Sequence, residues 1–354
     1  MRKTFLLAIV IAIGLASPAL RAQQKKNLEV YFIDVEGGQS TLFVSPSGQS
    51  LLVDTGWAGA RDAGRIVSVA KMAGVSQIDY LVLTHYHGDH AGGVVDLARA
   101  IPIKNFVDHG PGAEETLNVP QNYAAYLTVR GEGKHIQVKP GDKIPVPGLD
   151  VQVISAAAET ISKALPGAGA TNPDCGGFVP KDEMKETLVG GENKQSVGMV
   201  ISLGKFRIAD FGDLTWNKEH DLACPKNLIG TIDAYVVSHH GQDISSLPML
   251  VHAMHPRVAV MDNGANKGGA VATFETLKSS PGLEDLWQLH FAEGAADHNM
   301  PEKFIANQGK GGTAQTGVPN EGPVYYIQIT AQPDGSFSVK NSRNGFQKDY
   351  LSKH

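Results

Sequence analysis

The sequence has little positive charge, few cysteines and, after its first residues, no long apolar run. Its 31 lysine and arginine residues are outnumbered by 36 aspartate and glutamate residues, which gives a formal net charge of −5. A protein that holds nucleic acid by neutralising phosphates has a basic surface, so stable nucleic-acid binding is not expected. The 354 residues, 42% of them apolar, are enough to bury a large core.

The first 22 residues have the layout of a secretory signal peptide. Arg2 and Lys3 precede the apolar run from Phe5 to Leu15, and small residues suit cleavage after Ala22. The apolar run is short for a membrane span. Removing this segment leaves 28 basic and 36 acidic residues, a balance of −8. We expect a periplasmic or secreted protein without a membrane span, and an uncleaved anchor is the alternative.

The two cysteines, Cys175 and Cys224, lie outside any CxxC pattern. In an exported chain they could form one disulfide, but the sequence leaves open whether they are close in space. Neither lies near a motif, and the sequence contains no GxSxG segment. A covalent mechanism through serine or cysteine is therefore not indicated.

Strand and helix patterns alternate over residues 28–354 and predict a single domain. Residues 28–54 alternate like three strands of a meander, and the next apolar stripe predicts a helix that ends at Gly74. Residues 324–341 predict a C-terminal hairpin. Residues 156–194 predict a loop excursion that could act as a lid. Two successive strand-rich halves predict sheets covered by helices on their outer faces.

The segment LTHYHGDHAGG, residues 83–93, follows an apolar strand and contains four metal-binding side chains within six positions: His85, His87, Asp89 and His90. Four donors are too many for one tetrahedral ion that keeps an open position, but they suit two neighbouring ions. Gly88 allows the backbone to bend between them. Because the cluster ends a buried strand, we favour a metal centre over a histidine-rich surface loop.

The HxHxDH pattern of this segment resembles the metallo-β-lactamase-fold hydrolase superfamily. The segment LLVDTG with Asp54, the segment FGD with Asp213, and VVSHHG with His239 and His240 resemble its other motifs. The order and spacing agree over residues 28–265. The segments YFIDVEGGQSTLF, SHHGQD and HPRVAVMDNGANK are most similar to the extracytoplasmic hydrolase domain of ComEC-type competence proteins and to its free-standing relatives. The resemblance implies an αββα sandwich.

The resemblance also implies a set of ligands for two ions. A first ion would be held by His85 and His87, and a second by Asp89, His90 and one of His239 and His240. Asp213 would bridge the ions, and Asp54 would orient a ligand from outside. Alternation along a strand would send the rings of His239 and His240 to opposite sides, and the sequence does not say which one binds metal.

One departure from the superfamily concerns the first ion. Many members have a further histidine shortly before the bridging aspartate, where this chain reads GGENKQSVGM. We therefore expect fewer protein ligands on the first ion, with Asn193 able to contact that ion or the substrate. His109 could substitute as a ligand, and His290 and Asn299 could line the pocket, although a structural role is favoured for all three.

Two zinc ions, or manganese or iron in their place, would lower the pKa of a shared water and polarise a carbonyl or phosphoryl oxygen. The sequence thus predicts an exported hydrolase that uses a metal-bound hydroxide, with Asp89 and Asp213 as catalytic residues. Its substrate would be a phosphodiester or a small ester, lactone or lactam. The alternative is a non-catalytic or redox metal-binding periplasmic protein on the same fold.

Overall fold

The computed structural model describes residues 27–113, 118–178, 191–308 and 323–353. The predicted signal peptide, residues 1–22, lies outside the described residues, and so does part of the predicted excursion, residues 179–190. The sequence-based division into a signal peptide and a single domain therefore stays a prediction.

Within the described ranges, nine strands form the first sheet. They are β1 (Leu28–Ile33), β2 (Thr41–Val44), β3 (Ser50–Val53), β4 (Ile78–Val82), β5 (Ile103–Asp108), β6 (Lys134–Gln137), β16 (Tyr326–Ala331), β17 (Phe337–Asn341) and β18 (Gln347–Tyr350). Their order across the sheet is β18-β17-β16-β1-β2-β3-β4-β5-β6. The strands β1 to β3 pair antiparallel as a meander, and β4 to β6 are added in parallel.

The C-terminal strands return to this first sheet. Strands β16 and β17 pair antiparallel, and β16 pairs with β1 so that Leu28 lies opposite Ala331. The two sheets are therefore not simply the two successive halves of the sequence, because the last strands extend the sheet that the first strands begin.

The second sheet also has nine strands among the described residues. They are β7 (Lys143–Ile144), β8 (Asp150–Ala156), β9 (Glu159–Thr160), β10 (Gly198–Leu203), β11 (Phe206–Asp210), β12 (Ala234–Val236), β13 (Val258–Met261), β14 (Asp285–His290) and β15 (Ile305–Asn307). Strands β11 to β15 run parallel. Their carboxyl ends consequently meet at one edge of the sheet.

Helices cover the outer faces of the sheets. They are α1 (Ala60–Met72), α2 (Gly88–Ala91), α3 (Val94–Ala100), α4 (Val119–Arg130), α5 (Trp216–Ala223), α6 (Pro248–Met254) and α7 (Val271–Lys278). Four 3₁₀ segments are described as well: Pro173–Cys175, Ser238–Gly241, Glu293–Ala295 and Glu302–Phe304. In the described part of the chain, no helix has the length and apolar character needed to cross a bilayer.

Strand alternation divides the core between the layers. In β1, Leu28, Val30 and Phe32 pack between the two sheets, whereas Tyr31 and Ile33 face the helices of the first sheet. A third cluster joins the second sheet to α5, α6 and α7. Full burial of each such apolar side chain contributes roughly 1.5–3 kcal/mol. The result is an αββα sandwich, which confirms the fold class predicted from the sequence.

Cys175 and Cys224 form a disulfide with an S–S distance of 2.07 Å. Cys224 directly follows α5, and Cys175 lies in the part of the predicted excursion that the structure describes. A bridge between Thr171 and Lys226 accompanies it. The disulfide thus ties this segment to the outer face of the second sheet.

Candidate metal centre

The candidate site lies where the carboxyl ends of strands from both sheets meet. Asp54 follows β3 and the segment from Thr84 to His90 follows β4. In the second sheet, Asp213 follows β11 and His239 follows β12. Because β3 and β4 are parallel neighbours, as are β11 and β12, these residues come together although they are far apart in sequence.

The carboxylate of Asp213 lies at the centre of the site. Its Oδ1 atom is 3.2 Å from Nε2 of His90 and 3.6 Å from Nε2 of His240. Its Oδ2 atom is 3.1 Å from Nε2 of His239 and 3.9 Å from Nε2 of His85. The two oxygens therefore face two different sets of side chains.

The first set contains three histidines. His85 Nε2 lies 3.0 Å from His87 Nδ1, and His239 reaches the same oxygen of Asp213 that His85 faces. The sequence predicts two histidines here and a third one missing. The structure supplies His239 from a different part of the chain.

The second set combines Asp89, His90 and His240. Asp89 Oδ2 is 3.1 Å from His240 Nε2 and 3.5 Å from His90 Nε2, and the two imidazole nitrogens are 3.2 Å apart. Together with Asp213, these atoms lie within 4.8 Å of one another. Both sets are buried, and His87 and Asp89, each 7% exposed, are the most accessible members.

The expectation that strand alternation sends the rings of His239 and His240 to opposite sides is wrong. Strand β12 ends at Val236, and both histidines have a left-handed backbone with φ of 55°. In this tight turn, side chains of adjacent residues need not point to opposite faces, and both rings approach Asp213. The neighbouring Gly212 has φ of +54°, and a Cβ atom there would lie 2.8 Å from Thr84 Cβ. The segment that carries Asp213 is therefore closely fitted to the His85 segment, and the His239 amide donates a hydrogen bond of 3.1 Å to the Gly212 carbonyl.

Asp54 holds the other end of His90. Its Oδ2 atom lies 2.7 Å from His90 Nδ1 and accepts a hydrogen bond of 2.6 Å from the hydroxyl of Thr84. Its Oδ1 atom accepts one of 2.8 Å from the Thr84 amide. Asp54 is fully buried and has φ of 61°. Such a carboxylate fixes the ring so that Nε2 points into the centre.

Three further residues at the site were missed by sequence reasoning. Asp262 Oδ2 lies 3.4 Å from His240 Nδ1, Thr84 supports both Asp54 and His85, and Lys267 contacts Asp89. Asp262 follows the apolar strand β13 as Asp54 follows β3, so the same sequence pattern could have indicated it. Lys267 lies in a glycine-rich segment, where no pattern distinguishes it from a solvated lysine.

The burial of these groups changes their pKa values. Burial lowers the pKa of His85 well below its usual range and lowers that of His239 to about 4, so both rings are neutral near pH 7. Burial alone would also lower the pKa of His90, but the carboxylates of Asp213 and Asp54 raise it to about 10. Burial opposes ionisation of Asp213, yet His239, His90 and His240 hold its pKa well below the usual range.

These donors suit divalent metal ions. Asp54 takes one nitrogen of His90, so the other nitrogen and Asp213 Oδ1 need a positive charge between them, either a proton or a metal ion. Most buried polar atoms have a partner, and for Asp213 Oδ1 this partner would be either the protonated Nε2 of His90, 3.2 Å away, or a metal ion. Imidazole nitrogens and carboxylate oxygens are ligands of zinc and of manganese or iron.

Three other residues that the sequence offers as candidate ligands or pocket residues are Asn193, His109 and Asn299. Asn193 is buried and its Oδ1 atom has no hydrogen-bond partner among the described residues, so a contact with metal or substrate stays a prediction. His109 lies 3.0 Å from Glu192, which also accepts a hydrogen bond from the Tyr86 amide. Asn299 bonds the Ala292 backbone and Gln288.

His290 belongs to a second buried cluster. Its Nε2 atom lies 2.7 Å from Asp34 Oδ1, and Asp34 Oδ2 accepts a hydrogen bond of 2.9 Å from Arg65. Glu36 lies 3.7 Å from His290 and 3.8 Å from Arg65. Two acids facing one arginine and one histidine form a charge-compensated network, separate from the Asp213 centre.

Part of the chain matches a known protein family. The sequence profile described as the metallo-beta-lactamase superfamily matches residues 33–185, the stretch that contains Asp54 and the His85 segment. Over these 153 of its 354 residues, less than half of its length, the chain is similar to that superfamily. This superfamily includes metal-dependent hydrolases, and its fold binds a pair of metal ions.

The individual relatives of the chain are distant. The chain is 26% identical over 243 residues to Recombination protein 2 of Haemophilus influenzae, which covers 68% of this chain and 25% of that protein. It is 35% identical over 98 residues to hydroxyacylglutathione hydrolase of Yersinia enterocolitica, covering 27% of this chain and 32% of that protein. It thus spans at most about a third of these two relatives.

Among solved structures, the chain is similar to the metallo-beta-lactamase fold protein YhfI from Bacillus subtilis. The identity is 13%, the TM-score is 0.46, and the match covers 75% of this chain and 96% of that protein.

Proposed function

We propose that this protein is an exported hydrolase that works with two divalent metal ions, zinc being favoured by its histidine-rich ligands. The observation that carries the proposal is the arrangement around Asp213, whose two oxygens face two separate donor sets. His85, His87 and His239 would hold the first ion, and Asp89, His90 and His240 the second. Asp213 would contact both ions.

When bound, such a pair of ions activates water and neutralises charge on an oxygen of the substrate. The chain's own residues orient this site. Asp54 fixes the tautomer of His90, Asp262 lies behind His240 in the corresponding position, and the hydroxyl of Thr84 faces Nδ1 of His85 at 3.1 Å. Carboxylates and hydroxyls in these positions strengthen metal binding by the rings they orient.

Access to the centre favours its His87–Asp89 edge. His85, His90 and His240 are fully buried, whereas His87 and Asp89 are each 7% exposed and His239 is 5% exposed. A substrate bond would approach this edge, where Asp89 can orient the attacking water. We propose a phosphodiester or a small ester, lactone or lactam as the substrate.

Two features support export. The first 22 residues have the layout of a signal peptide, and the disulfide between Cys175 and Cys224 is a bond that persists in oxidising compartments.

The proposal is tested by metal analysis of the purified mature protein, followed by hydrolysis assays. The substrates are a phosphodiester, a lactone, a cephalosporin and single-stranded DNA, each with and without a chelator. We expect bound metal, and turnover of at least one substrate that chelation abolishes and zinc restores. Turnover that is insensitive to chelation, or no turnover by fully loaded protein, would overturn the hydrolase proposal.

A further inference from the structure

A lysine lies at the accessible edge of the metal centre. Lys267 Nζ contacts Asp89 Oδ2 and donates a hydrogen bond of 2.8 Å to the carbonyl of Gly37. It also lies 5.2 Å from the centre of the Trp57 ring. The Lys267 side chain is 16% exposed. The Nζ atom therefore lies beside the metal-binding carboxylate, on a side chain that is partly exposed.

The backbone around Lys267 is fixed to the metal centre. The amides of Gly269 and Ala270 donate hydrogen bonds of 3.0 and 2.8 Å to the carbonyls of His240 and Gly241. Gly268 has φ of +76°, and a side chain at this position would collide with the His240 carbonyl. Because the loop is held against the histidine turn itself, the position of Lys267 is coupled to that of the donor set.

Burial lowers the pKa of Lys267 to about 7, and the Asp89 carboxylate beside it favours the charged form. This charge does not help to hold metal ions. A cation beside Asp89 repels a metal ion and competes with it for the carboxylate. Four carboxylates face the centre or its histidines: Asp54, Asp89, Asp213 and Asp262. Two divalent ions would neutralise these four charges, and a metal-bound hydroxide would add one negative charge, which Lys267 would balance. With Lys267 charged, the loaded centre has no net negative charge to repel a negatively charged substrate.

We propose that Lys267 binds an anionic oxygen of the substrate, on a phosphoryl or carboxylate group next to the bond that is cleaved. This inference rests on the proposed hydrolytic function. An ammonium group has three donors. Gly37 and Asp89 engage two of them, which leaves one for the substrate at the accessible edge. A phosphodiester carries the anionic oxygen on the scissile phosphorus, and a cephalosporin carries a carboxylate beside its scissile amide.

The test compares Lys267→Met, which removes the charge, with Lys267→Arg, which retains it. Lys143→Met is the matched control, because Lys143 forms an exposed ion pair with Asp150. The affinity of the zinc-loaded proteins for inorganic phosphate is measured by titration calorimetry, after zinc content has been equalised. The value of kcat/KM is then measured for bis(4-nitrophenyl) phosphate, for a cephalosporin and for the neutral ester 4-nitrophenyl acetate.

We expect Lys267→Met to bind phosphate at least about tenfold more weakly, since a hydrogen bond to a charged group is lost. The ratio of kcat/KM for the anionic over the neutral substrate should fall by a similar factor, and Lys267→Arg should retain most of both. A larger loss with the phosphodiester assigns the site to a phosphoryl group, and a larger loss with the cephalosporin assigns it to a carboxylate.

Unchanged phosphate affinity in Lys267→Met, or an equal loss in Lys267→Arg, would overturn the inference. Failure of the hydrolytic function is distinguishable from this result. A wild-type protein that hydrolyses none of the substrates, but binds phosphate through Lys267, contradicts the proposed function and leaves the anion site supported.

Discussion

The Nε2 atom of His239 lies 3.1 Å from Oδ2 of Asp213. His85 faces the same oxygen, while the adjacent His240 faces Oδ1 and Asp89. Consecutive histidines thus serve opposite halves of the centre, because their left-handed backbone turns them to either side of one carboxylate. In the proposed metal centre, His239 would take the place of the histidine that the segment GGENKQSVGM lacks.

The division between the two histidines predicts separate losses of metal. His239→Gln and His240→Gln should each reduce the zinc content from about two ions per chain to about one, because each removes a ligand from one half. Zinc content is measured by mass spectrometry after dialysis. His255→Asn is the control, since His255 is exposed and asparagine tolerates its positive φ. Loss of both ions in either variant contradicts independent halves.

The carboxylates behind the histidines should tune metal affinity rather than stoichiometry. We expect Asp54→Asn to weaken zinc binding in the second half by about 10–100-fold, as is usual when such a partner is lost. Asp262→Asn should have a smaller effect, because Asp262 lies 3.4 Å from its histidine and Asp54 lies 2.7 Å from His90. Competition with a chromophoric chelator measures both constants. Equal losses, or a larger loss for Asp262→Asn, would count against the assigned geometry.

The disulfide should stabilise the fold without supporting the metal centre. Cys175 and Cys224 are 49 residues apart. Closing a loop of this size lowers the entropy of the unfolded chain and so raises its free energy by about 4 kcal/mol. The double variant Cys175→Ala and Cys224→Ala should therefore unfold at a lower urea concentration while its zinc content stays unchanged. Wild-type protein under reducing conditions should behave alike. An unchanged midpoint would show that the bond adds nothing to stability.

The pair of Asp34 and His290 predicts a pH-dependent part of the stability. Burial opposes both charges, but the Asp34 carboxylate raises the pKa of His290, and His290 with Arg65 lowers the pKa of Asp34. The raised pKa of His290 adds to the free energy of unfolding, and this contribution is fully present below the ordinary histidine pKa of about 6.5. The contribution is lost as the pH rises through the folded-state pKa of His290. The lowered pKa of Asp34 also adds to the free energy of unfolding, and this contribution is present above the ordinary aspartate pKa of about 4. The contribution is lost as the pH falls through the folded-state pKa of Asp34.

Urea unfolding from pH 3 to 9 measures this contribution. The free energy of unfolding of His290→Gln should fall short of the wild-type value most strongly between about pH 4 and 6.5, by more than about 1 kcal/mol. The difference should shrink above and below that range. His298→Gln, which alters an exposed histidine paired with Glu275, should show no such profile. A pH-independent difference for His290→Gln contradicts the charged pair.

Part of this centre could be predicted from the sequence, and the rest could not. One short segment contains His85, His87, Asp89 and His90, so their spacing predicts a metal site before any fold is known. The roles of His239 and His240 depend on positive φ angles, which a strand-like pattern hides. Asp262 lies at the site because β13 pairs in parallel with β12. Lys267 lies there because its loop is hydrogen-bonded to the His240 turn. Neither relationship is visible in the local sequence.

The same distinction applies to the fold. Residue alternation in β1 indicates two buried faces, because each side chain's face follows from its position along the strand. The pairing of β1 with β16 joins residues about 300 positions apart and leaves no local pattern, since it is decided by which sheet edge remains open. Layers were therefore predictable, whereas the return of the C-terminal strands to the first sheet was not.

Anomalous diffraction from zinc-loaded crystals tests the central claim most directly. We expect two peaks, one on either side of Asp213. His85, His87 and His239 would contact one of them, and Asp89, His90 and His240 the other. A single peak, a first peak without His239, or zinc bound at the Asp34–Glu36–His290 cluster in place of the Asp213 centre would contradict it.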